Sequence, residues 1–366
     1  MRRWFLRGAT GCLLALALLF SLFACGSGDD GYYREVKSSS DFRKTVLEMG
    51  GEKVSFELVR FFFWRHIDEV DGGDRSRWEG EEHDALMDAA MEKVLADIAD
   101  IYAVFRVYRD WGLDPESDDI DAMVNEYVKL DVDGGDLDDS LLPGYESYDD
   151  YLAYLASRHS TDTVNRLLYR YMACLSSLYA YVVTNRAEGK ATVTEEALTD
   201  FYFSDECAYV NSVSILYSAF RYPEEAKEAA EKIHAAMTDA GNDYGKLVEV
   251  GFSKSHDIPV NPALGDWYGR YSTSEGTDAR YETIFSLRAG ELSPIIETSD
   301  GFYIYYGMEK TTQDLAGGEA REHIEALYFD ELCHRSYAEA AAELLGQISY
   351  RSAFRKITYE ELSKNS

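Results

Sequence analysis

Proline and basic residues are both scarce in this chain of 366 residues: there are 6 prolines, and 36 lysines and arginines stand against 67 acids. The formal net charge of −31 excludes sequence-independent nucleic-acid binding, because a polyanion repels phosphates instead of displacing their counterions. It equally excludes docking on anionic lipid through a basic patch. So little proline rules out a collagen-like or proline-rich chain. Cysteine is sparse as well, with 5 residues and no CxxC spacing. No HExxH, GxSxG or phosphate-binding glycine loop occurs, so neither a metal nor a cofactor is expected.

What the chain has is apolar content of 46%, enough for a sizeable core, and 28 tyrosines. Its length points to two domains or three. Arg2, Arg3 and Arg7 precede an uncharged apolar run from Cys12 to Phe20. This is the pattern of an export signal, and it is too short for a membrane span. The run ends in Leu22-Phe23-Ala24-Cys25, which resembles the bacterial lipobox, with Phe23 bulkier than the usual small residue. The resemblance implies cleavage after residue 24 and lipidation of Cys25, followed by a polar tether over 25–41. Cleavage would remove three arginines and no acid, so −31 becomes −34. Of the remaining cysteines, Cys174, Cys207 and Cys333 are expected as buried thiols, although an oxidising compartment permits one disulfide among them.

Periodicity then predicts an all-helical lobe over 42–204. Ser55 is placed to cap a helix from Phe56, and Glu79–Trp111 carries Leu86, Ala90, Val94, Ile98, Ile101, Phe105 and Tyr108 at steps of three and four. Asp162–Arg186 repeats the pattern. In Phe61-Phe62-Phe63-Trp64, part is expected in the core and part on a client groove. Near Ala208 the period changes to that of a strand. A helix at Pro223–Thr238, a second at Asp243–Val250, an irregular stretch to Tyr271, a helix near Ala279–Leu287 and two strands, Ser293–Thr298 and Phe302–Met308, follow. The second unit is therefore α+β, over 205–312. From Gly318 to Leu345 the chain returns to helix, and a polar tail closes the 313–366 segment.

Phe285-Ser286-Leu287-Arg288-Ala289-Gly290-Glu291-Leu292-Ser293-Pro294 resembles the parvulin motif F-x-L-x-x-G-E-[IL]-S-x-P. Thr298 to Ile304 is similar to T-x-x-G-[YF]-H-I, Gly251-Phe252-Ser253 to x-[FY]-S, and Leu264-Gly265-Asp266-Trp267 to L-G-x-F. Together they cover about a hundred residues, 208–310. With the lipobox, the helical lobe and the closing helix, the chain resembles the PrsA-type extracytoplasmic foldases and the SurA-type chaperones. That resemblance implies a peptidyl-prolyl isomerase unit inserted into a chaperone lobe. The lobe would be completed by the closing helix through Ile324, Leu327, Tyr328, Leu332, Ala338, Ala342 and Leu345.

Prolyl isomerisation faces an amide-resonance barrier of about 18–20 kcal/mol and needs no covalent step. By resemblance, the polar site positions fall on Ser214, Ser255 and Tyr303, where parvulins carry two histidines and a cysteine or aspartate. All three depart from the family, and the imidazole pair is missing. Leu264, Trp267, Tyr281 and Phe285 fall where the family lines or backs a proline pocket; as core residues they would serve equally well. His256, beside Ser255, is either a substitute imidazole or a solvated loop histidine. His323 and His334 share a helix about 16 Å apart, too far to ligate one metal. The acidic run Asp131–Asp136 lacks the calcium-loop glycine and glutamate positions.

These features imply a lipid-anchored, extracytoplasmic folding factor acting on unfolded or newly exported polypeptides with X-Pro bonds, of weak isomerase activity. A non-catalytic holdase with a degenerate parvulin unit is the alternative. A solute-binding lipoprotein, which would need two lobes with parallel sheets, is a third reading.

Overall fold

The computed structural model describes residues 33–137, 140–142, 144–184, 194–256, 263–270 and 279–363. The expected leader, Cys25 and the first part of the tether lie outside them. Contacts divide the chain into two units: one from Met1–Tyr181 with Ser336–Ser366, the other Val182–Arg335. The strands in chain order are β1 (Thr45–Met49), β2 (Glu52–Ser55), β3 (Gly135–Leu137), β4 (Ser140–Leu142), β5 (Cys207–Leu216), β6 (Asp266–Gly269), β7 (Ile296–Glu297), β8 (Gly301–Gly307) and β9 (Ile348–Tyr350). Every pairing among them is antiparallel.

In the first unit, Gly50 and Gly51 take φ of +58° and +92°, the conformation a two-residue hairpin turn demands. They join β1 to β2, and the Ser55 side chain then accepts the Leu58 N–H to start the helix Phe56–Asp71. The helix His83–Asp110 buries all seven residues of its predicted stripe. Asp118–Asp133, Tyr148–Ser157, Asp162–Thr184 and the short Tyr359–Leu362 are further helices here.

Three expectations for this unit need correction. The lobe is not wholly helical: β1 lies between β2 and β9 in a three-stranded sheet, because Ile348 and Tyr350 pair with Met49 and Leu47. The polar tail is thus structural, with Leu362 buried and its carbonyl accepting from Arg60 Nε at 3.1 Å and Trp64 Nε1 at 2.8 Å. The rings of Phe61, Phe62 and Phe63 are all buried, and Trp64 stacks on His159 at 4.0 Å, so this run is core. Finally, the segment expected as tether is held from Tyr33 onward. Tyr33 stacks on Tyr148 at 4.7 Å, and the Val36 N–H donates to Asp162 Oδ2 at 2.9 Å.

In the second unit β5 is central, in the order β6-β5-β8-β7. Alternation along β5 and β8 divides the side chains between two faces. Val213, Ile215, Phe302, Ile304 and Tyr306 pack with Ala226, Ala230 and Met237 of the helix Pro223–Ala240, and with Leu247 of Tyr244–Val250. On the opposite face Ala208, Val210, Tyr303 and Tyr305 pack with Ile296 and with Ile284 of the helix Ala279–Ser286. A third cluster joins Leu198, Phe201 and Tyr202 of the helix Glu195–Phe203 to Cys207, Leu315 and Ile324. Strand β6 was hidden in the stretch read as irregular, since four residues are too few to display an alternation.

The helix Gly318–Leu345 divides between the units, which corrects its single expected stripe. Ile324 is buried in the second unit, with Leu327 and Tyr328 packed beside it. In the half belonging to the first unit the buried residues are Ala340, Ala341 and Leu344, while Ala338, Ala342 and Leu345 are exposed. Two halves that pack in different units need not share one stripe. Cys174, Cys207 and Cys333 are buried thiols, and burial pushes Cys174 and Cys207 each up to about 12. No described helix is long and apolar enough to cross a membrane.

Candidate functional site

Ser214 sits near the end of β5, directly opposite Tyr303 on β8. Opposed residues of an antiparallel pair share a face, so both lie on the side packed by the helix Ala279–Ser286. Beyond Val210 the outer edge of β5 has no partner strand among the described residues, because β6 pairs only with Cys207–Val210. Side chains take its place. The Ser212 N–H donates to Asn211 Oδ1 at 2.8 Å, the Ser214 N–H to Ser255 Oγ at 2.9 Å and the Leu216 N–H to His256 Nδ1 at 3.0 Å. In return the His256 N–H donates to the Ser214 carbonyl at 2.8 Å. Ser214 Oγ and Ser255 Oγ stand 3.0 Å apart, and both residues are only 3% exposed.

The parvulin-like motif residues explain why Tyr303 arrives opposite Ser214. The Gly290 N–H donates to the Gly307 carbonyl, Ser293 exchanges hydrogen bonds with Tyr305, and Leu292 bridges to Tyr306. This stretch clasps the edge of β8. The turn before β8 brings Gly301 so close to β5 that a Cβ there would stand 2.4 Å from the Ile215 carbonyl oxygen, so only glycine fits. The motif thus builds the sheet, and chemistry at the site rests on other groups.

Tyr303 is buried and its hydroxyl donates to Asp300 Oδ2 at 2.9 Å, while the Arg280 guanidinium lies 4.5 Å over its ring. Burial would raise the Asp300 carboxyl, but hydrogen bonds from Thr298 and Tyr303 and the Arg280 charge outweigh it and hold it below the ordinary carboxylate value. The three polar positions are therefore gathered: two serines in contact and a tyrosine paired to one of them.

The four pocket positions are not gathered in the same way. Phe285 packs at the border of the cluster holding Tyr303. Tyr281, one turn away, touches Phe285 at 5.0 Å between centroids and donates from its hydroxyl to the Arg270 carbonyl. The Arg270 guanidinium lies 4.7 Å over the Phe285 ring. Leu264 is 56% exposed. Trp267 is opposite Tyr209 in the β5–β6 register, an odd number of residues from Ser214, and therefore on the other face. There it stacks on Tyr209 at 4.6 Å and packs against the cluster of Leu198, Phe201 and Tyr202. Its expected place in the pocket with Ser214 is corrected to a core role.

The groups that sequence reasoning missed on this face are Tyr268, Tyr305, Arg280 and Asp300. Burial pushes the Tyr268 hydroxyl up to about 12, with the Asp266 charge adding to it. Alternation along Phe302–Tyr306 would have found Tyr305. Nothing local marks Arg280, whose role comes from the helix passing over Tyr303.

No family model and no curated protein matches the chain. Among solved structures it is similar to the foldase protein PrsA from Streptococcus pneumoniae, at 17% identity over 85% of this chain and 97% of that one, with a TM-score of 0.30. PrsA from Bacillus subtilis matches at 12% identity over 84% and 93%, with a TM-score of 0.25. The peptidylprolyl isomerase PrsA from Bacillus cereus matches at 15% identity over 88% and 100%, with a TM-score of 0.26.

Proposed function

We propose that this protein is a membrane-anchored extracytoplasmic folding factor. Its second unit is a parvulin-like domain that binds proline-containing segments of newly exported chains and isomerises them slowly. The observation that carries this reading is that Ser214, paired in register with Tyr303, is also in contact with Ser255, 41 residues away, at the positions the resemblance assigns. Contact between residues so far apart in the chain supports the reading.

Slow turnover follows from the groups present. Rotation about the X-Pro bond is assisted by donors aimed at the twisting amide. Here two hydroxyls are buried against each other and the third is committed to Asp300. That burial favours, as a second reading, a holdase that binds without turnover. A solute-binding lipoprotein fits poorly, because the described strands pair only in antiparallel fashion. A protease-coupled assay on a proline peptide, run beside an aggregation assay on a proline-free client, tests the reading. Weak turnover with protection of the client supports the folding factor, protection alone supports the holdase, and neither activity would sink both.

A further inference from the structure

An X-Pro unit offers only acceptors at its amide, since the proline nitrogen carries no hydrogen. A site that meets it through hydrogen bonds must present a donor to solvent. The hydroxyls at the three motif positions can be compared with His256 beside them. The hydroxyls of Ser214 and Ser255 are buried, and that of Tyr303 is donated to Asp300. His256 is different. Its residue is exposed, and its Nδ1 accepts the Leu216 N–H, which fixes the ring proton on Nε2. Nε2 has no partner among the described residues.

The ring is also held in place. The His256 backbone N–H is bound to the Ser214 carbonyl, Nδ1 is bound to the next outward N–H of β5, and the Phe220 ring stands 5.3 Å away. Leu216, half-buried, packs at the border of the cluster holding Tyr303, and Phe220 packs with the cluster on the other face, so the imidazole stands at the sheet edge where the two faces meet.

Resting on the parvulin-like reading, we infer that His256 Nε2–H is the donor that meets a peptide carbonyl at this site, and that the Ser214–Ser255 pair positions it without touching the peptide. The serines seal the strand edge and set the backbone of residues 255 and 256. The imidazole supplies the exposed N–H. One donor lost from such a contact weakens binding about three- to tenfold.

The test must separate this contact from the capping of Leu216. In His256→Asn the amide oxygen replaces Nδ1 as acceptor, while the Nε2–H is gone. In the full-length protein, the Leu216 amide should keep its hydrogen-exchange protection, and the dissociation constant for an Ala-Pro tetrapeptide should rise about three- to tenfold. Independently, the Nε2 nitrogen resonance of His256 in the unsubstituted protein should move on titration with that peptide. Affinity unchanged in His256→Asn would overturn the inference. So would an Nε2 resonance that stays fixed while the ring-proton resonances of Phe285 and Tyr303 move; the parvulin-like reading would survive both results. Absence of any peptide binding by the unsubstituted protein would remove that reading and this inference together.

Discussion

Tyr359 lies flat on Trp78, with ring centroids 4.8 Å apart and planes 9° from parallel. The contact ties the last described helix to a segment near the other end of the chain. Beside it, Leu362 is completely buried, and its carbonyl is the acceptor for both Arg60 and Trp64. The first unit is therefore closed by residues that follow the inserted second unit.

Leu362→Ala should cost about 2–5 kcal/mol of stability in the first unit, as a deeply buried leucine truncation does. Deleting residues 348–366 should cost more, since it also removes β9 and leaves the buried Arg60 without its Leu362 acceptor. Urea denaturation measures both. A truncated chain as stable as the parent would contradict this account of the tail.

Asp71 supplies a pH dependence. It is buried, and burial would raise its carboxyl, yet bonds from Trp78 Nε1, the Gly73 N–H and Arg75 hold it below the ordinary carboxylate value. A carboxyl depressed in the folded state stabilises above its unfolded value, near 3.9, and that contribution is lost as pH falls through the folded value. Stability should accordingly drop on acidification below about pH 4, and Asp71→Asn should flatten part of that slope. Melting curves across pH 2–7 check it; identical acid slopes in both proteins would argue against it.

The boundary of the second unit can be tested by cutting the chain. Leu198, Phe201, Tyr202, Leu315 and Ile324 form a cluster with Cys207, against which Trp267 packs. A fragment of 205–312 strips that cluster, whereas 194–335 keeps it. The longer fragment should melt cooperatively and at higher temperature. Equal melting temperatures would mean that these flanking helices add nothing.

Trp267→Ala should destabilise this same unit by about 3 kcal/mol through loss of its stack on Tyr209. Peptide affinity of the folded protein should not change, because the ring is on the face away from Ser214. Phe285→Ala should do the reverse and weaken proline-peptide binding. Isothermal titration of the two variants distinguishes them, and weakened binding in folded Trp267→Ala would place its ring at the peptide after all.

The proposed membrane attachment would be made through Cys25. Cys25→Ser should abolish incorporation of labelled fatty acid and release or misprocess the protein. Unchanged labelling in that variant would refute the anchor.

Local signals were enough to reveal much of this protein. The 3.6-residue stripe from Leu86 to Tyr108 and the cap at Ser55 are read from neighbours in the chain, and the helices stand where those signals put them. The motif from Phe285 to Pro294 likewise announced the β8 region, since a turn and a clasp depend on residues a few positions apart. Other features depend on distant partners. β9 pairs with β1 across some three hundred residues, and a three-residue strand carries no period of its own. Trp267 looked like a pocket residue because its motif marks position along the chain, whereas the face it occupies is set by its register with Tyr209. His256 could be named from sequence as a candidate, but not assigned a tautomer. Only the folded sheet places the Leu216 N–H against Nδ1, because a hydrogen bond between residues 40 positions apart exists only once the sheet has formed.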